Sequence, residues 1–439
     1  MLICLPAHIT TLLSGLHEAG FSACAVGGCV RDSLLGKTPH DWDVATAARP
    51  EQVKALFFGL RALDTGLRHG TVTLLTDGGP VEVTTYRVES GYSDHRRPDG
   101  VLFTDDLQAD LARRDFTVNA MAFDGEKLID PFGGQDDLRM RRIRAVGDPQ
   151  ARFAEDGLRI LRALRFSAQL GFTVEESTGA ALLNSCELLK EISAERVRTE
   201  LWTFLSGDCV PVLRNFAPVF AIILPELAPT FGFDQRNRHH VYGVWEHTLH
   251  ALEAAPPDQL LRLALLLHDC GKPSCFSVGK DAQGHFYGHA DKSAVLADAA
   301  LRRLRFDNGR RERIVRLIAL HDHDLPPTEK GIRRWLTRLP PEDLRLLIAL
   351  KRADNAGQNP KYSRAAEWDE AERILGEVLA RNECHSLAQL AVRGEDLLAL
   401  GYRGQEVGQK LNELLETVIA GAKNDRESLL AHVKRKENQ

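Results

Sequence analysis

The spacing of apolar and polar residues divides the chain into a mixed first third and a helical remainder. Residues 6–20 place apolar side chains at helical spacing and end at a glycine, which predicts a helix. A short apolar run at 21–26 predicts a strand, and β-rich segments at 71–75 and 81–86 flank a DGGP hairpin turn. From about residue 147 onward, helical patterns dominate. We therefore expect an α/β domain followed by all-α domains.

Prolines and one polar stretch indicate where these domains meet. Prolines punctuate the helical patterns between residues 149 and 225, and the polar stretch at 236–240 precedes a new helical run. Further breaks fall at Pro326-Pro327 and at Asn359-Pro360. We expect four parts, at residues 1–146, 147–235, 236–360 and 361–439.

The composition is typical of a globular protein in a reducing compartment. Of the 439 residues, 44% are hydrophobic, and no apolar run approaches the length of a membrane span. Eight cysteines form no CxxC pair, and the first residues lack the basic segment of a signal peptide. We therefore expect reduced thiols, no membrane contact and a cytoplasmic location. The net charge of −5 means that a polyanionic partner needs a local basic face.

Two acids near the start of the chain have the spacing of a metal-binding pair. Asp41 and Asp43 are two residues apart, and side chains two apart in a strand point to the same face of the sheet. Two carboxylates on one face can hold a pair of hard divalent cations, which clamp the attacking and leaving oxygens of a phosphoryl displacement. An isolated Asp-x-Asp sequence, however, is more often a solvated loop.

The residues before these acids fit phosphate binding. The expected strand at 21–26 ends at Gly27-Gly28, where the backbone can approach a triphosphate closely. Residues 30–35 look like a short helix whose N-terminal amides could face the phosphates. With both elements in this order, the run as a whole favours a nucleotide site over a solvated loop.

The segment GGCVRDSLLGKTPHDWDVAT, residues 27–46, resembles the first motif of class II tRNA nucleotidyltransferases. This family contains the CCA-adding enzymes and the bacterial poly(A) polymerases, within the polymerase-beta-like superfamily. The resemblance implies a multidomain chain in which a polymerase-beta-like α/β nucleotidyltransferase head, a mixed sheet with helices, precedes an all-α neck, an HD domain and a tail. It implies that Asp41 and Asp43 are catalytic and bind Mg²⁺. It also implies nucleotide contacts by Gly27, Gly28, Arg31 and Asp32.

A third acid, Glu82, lies on the expected strand at 81–86. It could join the two aspartates as a further carboxylate, or it could face outward as an ordinary strand residue. The sequence leaves both interpretations open.

The segment RRDFTVNAM, residues 113–121, resembles the family's second motif, which contacts the ribose of the incoming nucleotide. The Asp115 carboxylate can accept a hydrogen bond from a sugar hydroxyl, and Arg114 is placed to pair with phosphate. Asn119 could support the same pocket. Taken alone, Asp115 would more simply be a helix cap.

Residues 152–172 predict one helix that carries base selection. Asp156 and Arg159 are three residues apart and are therefore expected on one face. A carboxylate only accepts and a guanidinium only donates, so the pair fits the amino group and ring nitrogen of cytosine and adenine, whereas uracil and guanine place a carbonyl opposite the carboxylate. The segment resembles the family's EDxxR templating motif, and Arg162 in the same segment is also expected to bind nucleotide. An ordinary surface ion pair is the alternative.

The expected RNA contact lies in residues 130–149, which resemble the family's hinge between head and neck. A solvated charge run is the alternative. Two further segments favour the CCA-adding relatives, because 63–73 resembles their version of this region and 92–103 resembles their flexible loop. The expected RNA-binding residues are Arg139, Arg141, Arg142 and Arg144.

A second signature, H…HD…D, resembles the HD phosphohydrolase superfamily. His and Asp ligands suit Mn, Ni, Co, Fe or Mg better than a structural zinc site. The implied chemistry is hydrolysis of a phosphomonoester or cyclic phosphate by metal-activated water, with Lys272 on the phosphate. A degenerate RNA-binding body is the alternative, and His250, His285 and His323 are weaker candidates. The resemblance implies metal ligands His247, His268, Asp269 and Asp354, with His289 and His321 for a second ion.

Together these resemblances imply an enzyme that adds CCA to the 3′ end of tRNA from CTP and ATP. The tRNA would be held by its acceptor–TΨC arm, and no DNA partner is expected. The nearest alternative is a poly(A) polymerase or an A-only adding enzyme. Another is an HD phosphohydrolase whose head binds RNA.

Overall fold

The computed structural model describes residues 3–91, 100–280 and 282–437. Its chain forms two compact units, Met1–Pro225 and Glu226–Gln439. Within the described ranges, none of the helices combines the length and the hydrophobicity that a membrane crossing requires.

The first unit contains a mixed sheet and eleven of the described helices. Its helices are α1 Ala7–Glu18, α2 Gly28–Leu34, α3 Pro50–Leu56, α4 Leu107–Ala112, α5 Gly134–Arg139, α6 Pro149–Glu155, α7 Leu158–Leu170, α8 Glu176–Ser185, α9 Ala194–Phe204, α10 Val210–Asn215 and α11 Ala217–Ile223. Its strands are β1 Ala23–Val26, β2 Asp43–Thr46, β3 Arg61–Gly66, β4 Thr71–Thr76, β5 Gly79–Thr85, β6 Arg87–Ser90, β7 Gly100–Phe103, β8 Ala122–Phe123, β9 Leu128–Ile129, β10 Arg142–Ile143 and β11 Thr173–Val174.

The sheet of the head runs in the order β3-β4-β5-β2-β1-β8-β9. Only β2 and β5 pair in parallel, and the other neighbours are antiparallel. The parallel pair aligns Asp43 with Glu82, so both side chains stand on the same face at neighbouring positions. The predicted mixed α/β head and its hairpin between β4 and β5 are confirmed.

The predicted single helix over residues 152–172 is wrong. The chain forms α6 and α7 instead, and Asp156 between them is extended, with φ −141° and ψ 102°. The Asp156 Oδ1 accepts a hydrogen bond of 3.0 Å from the amide of Leu158, which caps the start of α7. A short acceptor side chain such as that of Asp156 competes with the helical backbone for the hydrogen bonds of nearby amides. Gly157 lies at the same break.

The second unit is helical apart from one short hairpin. Its helix α13, Gln259–Leu267, is apolar except at Gln259 and Arg262 and is buried along most of its length, as expected for a helix in the core of a bundle. In its tail, α20 Gly394–Ala399 and α21 Gln405–Ile419 flank a turn that contains Gly401 and Gly404. The elements are α12 Val244–Ala254, α13 Gln259–Leu267, α14 Lys272–Cys275, β12 Ser277–Val278, β13 Gly284–His285, α15 His289–Arg303, α16 Asn308–Leu320, α17 Glu329–Leu336, α18 Pro341–Ala356, α19 Ala365–Ala380, α20 Gly394–Ala399, α21 Gln405–Ile419 and α22 Arg426–Glu437.

Candidate active site and metal centre

One cleft in the first unit gathers most of the residues expected to bind nucleotide. Its volume is about 720 Å³. Seven arginines and four aspartates line it, a balance that suits a ligand carrying several negative charges. The lining residues are Gly27, Gly28, Arg31, Asp41, Asp43, Arg113, Arg114, Asp115, Asn119, Asp156, Leu158, Arg159, Arg162, Arg165, Phe166 and Arg196.

The acids of the cleft cluster at the start of β2. Asp43 begins the strand with Glu82 beside it, whereas Asp41 precedes the strand, so the argument from strand alternation applies to Asp43 alone. Asp41 is exposed and lies 3.0 Å from the Nδ1 of His40. Burial, and then the negative charges of Glu82 and Asp41, raise the pKa of Asp43 to about 6. Crowded carboxylate oxygens of this kind fit a hard divalent cation.

The glycine pair brings the backbone close to an arginine of the cleft. Gly27 has φ 80°, a conformation that L side chains rarely adopt, and a Cβ there would lie 2.9 Å from Arg114 Nη1. Arg31, on α2, is buried, and its Nη1 donates to Asn119 Oδ1 over 2.6 Å. It also donates to the neighbouring Asp32 over 2.8 Å. The first two predicted motifs therefore meet in one hydrogen-bonded group.

Asp115 is buried and holds the second motif to helix α7. Its carboxylate accepts from Arg162 Nε at 2.8 Å, from Asn119 Nδ2 at 3.2 Å and from the Phe116 amide at 2.9 Å. Burial alone would raise its pKa, but the Arg162 guanidinium and these hydrogen bonds hold the pKa of Asp115 below its ordinary value. Asp115 is therefore an ionised acceptor inside the cleft.

Asp156 and Arg159 both line the cleft but do not pair with each other. Asp156 Oδ2 accepts from Arg196 Nη2 at 2.8 Å, and Arg159 Nη1 donates to Glu155 Oε2 at 2.6 Å. The expectation that they share a helical face is wrong, because Asp156 lies in the break before α7. Asp156 is oriented by Arg196 and Arg159 by Glu155. The remaining acceptor positions of Asp156 and donor positions of Arg159 are therefore oriented independently of each other.

Sequence reasoning missed part of the cleft. Arg196 comes from α9, and no spacing rule links it to Asp156. Phe166 is buried, and the guanidinium carbons of Arg31, Arg162 and Arg165 lie 5.2, 5.3 and 4.0 Å from its ring centroid. The sequence did offer one signal for this part of the cleft, because Arg159, Arg162 and Arg165 follow one another at intervals of three residues just before Phe166.

The four arginines expected to bind RNA are largely tied to local partners. Arg142 and Arg144 both pair with the buried Asp137, the second through Nε at 2.8 Å. Arg139 pairs with Asp136 at 2.6 Å on the surface. The guanidinium of Arg141 lies 5.7 Å from the ring centroid of Phe172. This segment is therefore less basic than its sequence suggests.

Of the two segments expected to mark CCA-adding relatives, the first lies at one edge of the head sheet, and the described part of the second belongs to a separate two-stranded sheet. Residues 63–73 cover the end of β3, a 3₁₀ turn and the start of β4. Of residues 92–103, the part 92–99 lies outside the described residues, and 100–103 form β7, which pairs with β6.

Six residues of the expected HD signature converge in the second unit. His247 and His268 place Nε2 at 2.8 and 3.3 Å from Asp354 Oδ1. His289 and His321 place Nε2 at 3.5 and 3.8 Å from Asp269 Oδ1. Asp269 belongs to both groups, since its other oxygen lies 3.4 Å from His247. The arrangement is that of two adjoining ligand sets that share one carboxylate.

The donor chemistry of this cluster fits divalent metal ions. Each histidine places Nδ1 against a backbone carbonyl, at 2.9 Å for His247, 2.6 Å for His268, 2.9 Å for His289 and 2.6 Å for His321. An Nδ1–H donated to a carbonyl leaves the Nε2 lone pair directed at the centre, as metal-binding histidines require. Asp269 is buried, and neither of its oxygens accepts an aligned hydrogen bond from the described residues, although Lys272 Nζ lies 2.7 Å away as an ion pair. A buried carboxylate that faces four histidine Nε2 atoms within 3.8 Å is expected where a cation binds.

Two lysines and a glutamine support the cluster. Lys272 Nζ also donates to the buried Gln235 over 2.9 Å. Lys351 Nζ donates to the carbonyls of His321 and His323 over 2.6 and 2.5 Å, which fixes the turn that carries His321. Neither Gln235 nor Lys351 was singled out from the sequence. The weaker candidates His250, His285 and His323 lie outside both ligand sets of the described residues.

Comparison with known proteins places these sites in a family context. The Poly A polymerase head domain matches residues 23–144, the probable RNA and SrmB-binding site of polymerase A matches 171–230, and the HD domain matches 238–356. The CCA-adding enzyme of Lactobacillus helveticus is 54% identical over 190 residues, or 43% of this chain and 47% of that protein. That of Leuconostoc mesenteroides is 53% identical over 199 residues, or 45% of this chain and 49% of that protein. The chain spans about half the length of the curated relatives it matches.

A solved structure resembles the chain over nearly all of its length. The CCA-adding enzyme of Bacillus stearothermophilus in complex with CTP has a TM-score of 0.72 at 27% identity, covering 98% of both chains. The chain thus combines a Poly A polymerase head domain with an HD domain in a fold similar to that of this CCA-adding enzyme. The fold of another structure, the Thermotoga maritima CCA-adding enzyme complexed with tRNA, is also similar, with a TM-score of 0.61 at 20% identity over 99% of this chain and 96% of that one.

The matched segments contain most residues of both sites. The head match contains the acids of β2 and the buried Asp115, and the HD match contains all six residues of the metal cluster. Asp156 and Arg159 fall between the matched segments. Nucleotidyltransferase head domains typically use a divalent metal, which agrees with the carboxylates at β2.

Proposed function

We propose that the chain adds and repairs the 3′-terminal CCA of tRNA, using CTP and ATP without a nucleic-acid template. The observation that carries the proposal is the single cleft, in which the acids of β2 adjoin seven arginines and the pair Asp156 and Arg159. The relatives that match a little under half of this chain are CCA-adding enzymes. A structural relative is described in complex with CTP.

Asp41 and Asp43, with Glu82 beside them, are proposed to hold Mg²⁺. When bound, Mg²⁺ would neutralise charge at the α-phosphate and activate the tRNA 3′-hydroxyl that displaces pyrophosphate. The arginines of the cleft bind the triphosphate oxygens, and Gly27 lets the backbone come close to them. Asp115 accepts a hydrogen bond from the ribose and so favours ribonucleotides.

Base choice is assigned to Asp156 and Arg159. A fixed acceptor and a fixed donor match the amino group and ring nitrogen of cytosine and adenine, and they leave uracil and guanine with an acceptor facing the carboxylate. A mispaired buried group costs about 1–3 kcal/mol, enough for a substantial preference. The contact between Asp156 and Arg196 fixes the carboxylate for this role.

The proposed partner is the acceptor–TΨC arm of tRNA, recognised by shape and backbone charge. Arg139, Arg141, Arg142 and Arg144 are proposed to contact it, although their local partners reduce the charge they offer. The proposed domains are a catalytic head at 1–146, a neck at 147–235, an HD domain at 236–360 and a helical tail at 361–439. We also propose a cytoplasmic location, in keeping with eight free cysteines.

A second proposed activity belongs to the HD cluster. The observation that favours it is the set of four histidine Nε2 atoms turned toward the buried Asp269 and the partly buried Asp354. Asp269 accepts no aligned hydrogen bond from the described residues. When bound there, a divalent transition metal or Mg²⁺ would supply activated water for hydrolysis of a phosphomonoester or cyclic phosphate. Lys272, beside Asp269, would contact the phosphate.

Extension of a tRNA transcript that lacks its CCA tests the first proposal. With Mg²⁺, we expect two added nucleotides from CTP alone and three from CTP with ATP. A long tail from ATP alone would instead indicate a poly(A) polymerase. Asp41→Ala should abolish extension without unfolding the protein, and His268→Ala should leave extension intact but abolish phosphate release by the HD cluster.

A further inference from the structure

The mouth of the HD pocket carries two aromatic side chains that the proposed chemistry does not use. His285 and Tyr287 stack with ring centroids 5.4 Å apart and an interplanar angle of 5°. Tyr287 is 80% exposed, and its hydroxyl lies 3.5 Å from His285 Nδ1. The outer face of the tyrosine ring is therefore a flat surface open to solvent.

The residue between them fixes the platform to the protein. The Phe286 ring lies 5.6 Å from the ring of Phe276 and 6.5 Å from that of Phe233, between ring centroids. Phe286 thus anchors the segment in an aromatic cluster while its two neighbours remain at the surface. A platform held in this way is preformed, so a ligand would not have to order it.

The platform and the proposed metal ligands line one pocket of about 300 Å³. That pocket includes His285 and Tyr287 together with Asp269, His289 and His321. Gly288, with φ 74°, turns the chain from the platform directly into the helix that begins at His289. Two residues of chain span at most about 7 Å, so the Cα atoms of Tyr287 and of the proposed ligand His289 lie within that distance.

We propose that His285 and Tyr287 form a stacking subsite for the nucleobase of the phosphate ester that the HD cluster hydrolyses. The inference rests on the proposed HD activity and specifies its substrate as a nucleoside phosphate, either free or at an RNA 3′ end. The base stacks on the tyrosine while the phosphate lies at the metal ligands. Because every base has a π-face, the subsite distinguishes base-bearing esters from sugar phosphates and tolerates all four bases.

The test compares two phosphate esters that differ in the base. Phosphate release from AMP and from ribose 5-phosphate is measured with the full-length protein loaded with Mn²⁺, and a 3′-phosphorylated RNA oligonucleotide serves as the RNA-end substrate. We expect Tyr287→Ala to raise the KM for AMP by about 5- to 150-fold, the range for loss of one base–aromatic stack, with little change in kcat. The KM for ribose 5-phosphate should change less than about twofold, and Tyr287→Phe should retain the wild-type values.

A matched control is available in the same unit. Tyr242 is 40% exposed and packs on His250, with ring centroids 4.2 Å apart, but this pair does not line the HD pocket. Tyr242→Ala should therefore leave both KM values unchanged. A larger KM effect of Tyr287→Ala on the oligonucleotide than on AMP would identify the RNA end as the preferred source of the base.

The outcomes separate the subsite from the activity on which it rests. If the wild type hydrolyses AMP and ribose 5-phosphate with equal kcat/KM, or if Tyr287→Ala raises both KM values alike, the stacking subsite is refuted and the hydrolase proposal stands. If the wild type binds Mn²⁺ but hydrolyses none of the three substrates, the hydrolase proposal itself fails and the subsite fails with it.

Discussion

Replacing Arg196 by methionine would remove the partner of Asp156 and leave Asp156 itself in place. Arg196 Nη2 donates to Asp156 Oδ2 over 2.8 Å, and the two side chains are only 24% and 17% exposed. The other carboxylate oxygen caps α7 through the Leu158 amide. Two of the four lone-pair positions are thus used for orientation, and two remain for a base.

The expected size of the effect follows from this contact. A hydrogen bond between charged groups contributes about 1.5–3 kcal/mol when well buried, and partial exposure reduces this to about 1–2 kcal/mol. At about 1.4 kcal/mol per factor of ten, the loss corresponds to roughly 5- to 30-fold. Because Asp156 is proposed to select C and A, kcat/KM should fall by this factor for CTP and ATP but much less for UTP and GTP.

The assay is single-nucleotide addition to tRNA transcripts that end just before the first C or just before the A. Rates are measured for all four nucleotides with wild type, Arg196→Met and Arg196→Lys, and unfolding temperatures are compared in parallel. Lysine keeps the charge but not the planar fork, so it should recover part of the discrimination. Unchanged discrimination in Arg196→Met, or an equal loss with all four nucleotides, would refute the assignment.

Three further predictions test other contacts. Glu175 caps α8, and hydrogen bonds from Thr178 lower the pKa of Glu175 to about 2 despite partial burial. The contribution of the ionised carboxylate to folding stability is therefore complete above the ordinary pKa of a glutamate and is lost as the pH falls toward 2. Glu175→Gln should therefore destabilise the first unit by about 2 kcal/mol at neutral pH and less below pH 4, as measured by pulse-labelling amide exchange of α8 across a urea series; a pH-independent difference would contradict the reasoning. Lys351→Met should reduce the bound metal from about two ions per chain to about one, by elemental analysis, because the His321 turn loses its anchor, and two retained ions would exclude this role. Gly27→Ala should raise the KM for CTP at least tenfold in steady-state extension, since its Cβ displaces an arginine of the cleft, and a wild-type KM would show that the close approach is not needed.

The sequence predicted those parts of the fold that depend on local pattern. Alternation and turn residues identified the hairpin at 71–85, because both the strands and the turn are encoded within a few residues. The break at Asp156 was missed, since residues 152–172 have helical spacing throughout and only the capping hydrogen bond to Leu158 interrupts it. Helical periodicity does not distinguish a continuous helix from two helices that share a face.

In the candidate sites, too, the residues of short local motifs were predicted and their distant partners were not. Short motifs indicated the acids of β2 and the histidines of the second unit, because each motif carries its own chemistry. The partners that orient these groups were not predicted. Arg196 reaches Asp156 across 40 residues of sequence, and Lys351 reaches His321 across 30. Such pairs depend on how helices pack, which a single sequence does not reveal.

The wide separation of the HD ligands has a consequence for synthesis of the chain. His247 and Asp354 lie 107 residues apart, and Asp354 comes from the last helix that contributes to the cluster. At about 5–20 residues per second, a ribosome needs roughly 5–20 seconds to travel from the first proposed ligand to the last. During that interval the nascent protein acquires His247, His268, His289 and His321 one after another before their final carboxylate, so a metal ion that binds during translation would meet an incomplete ligand set.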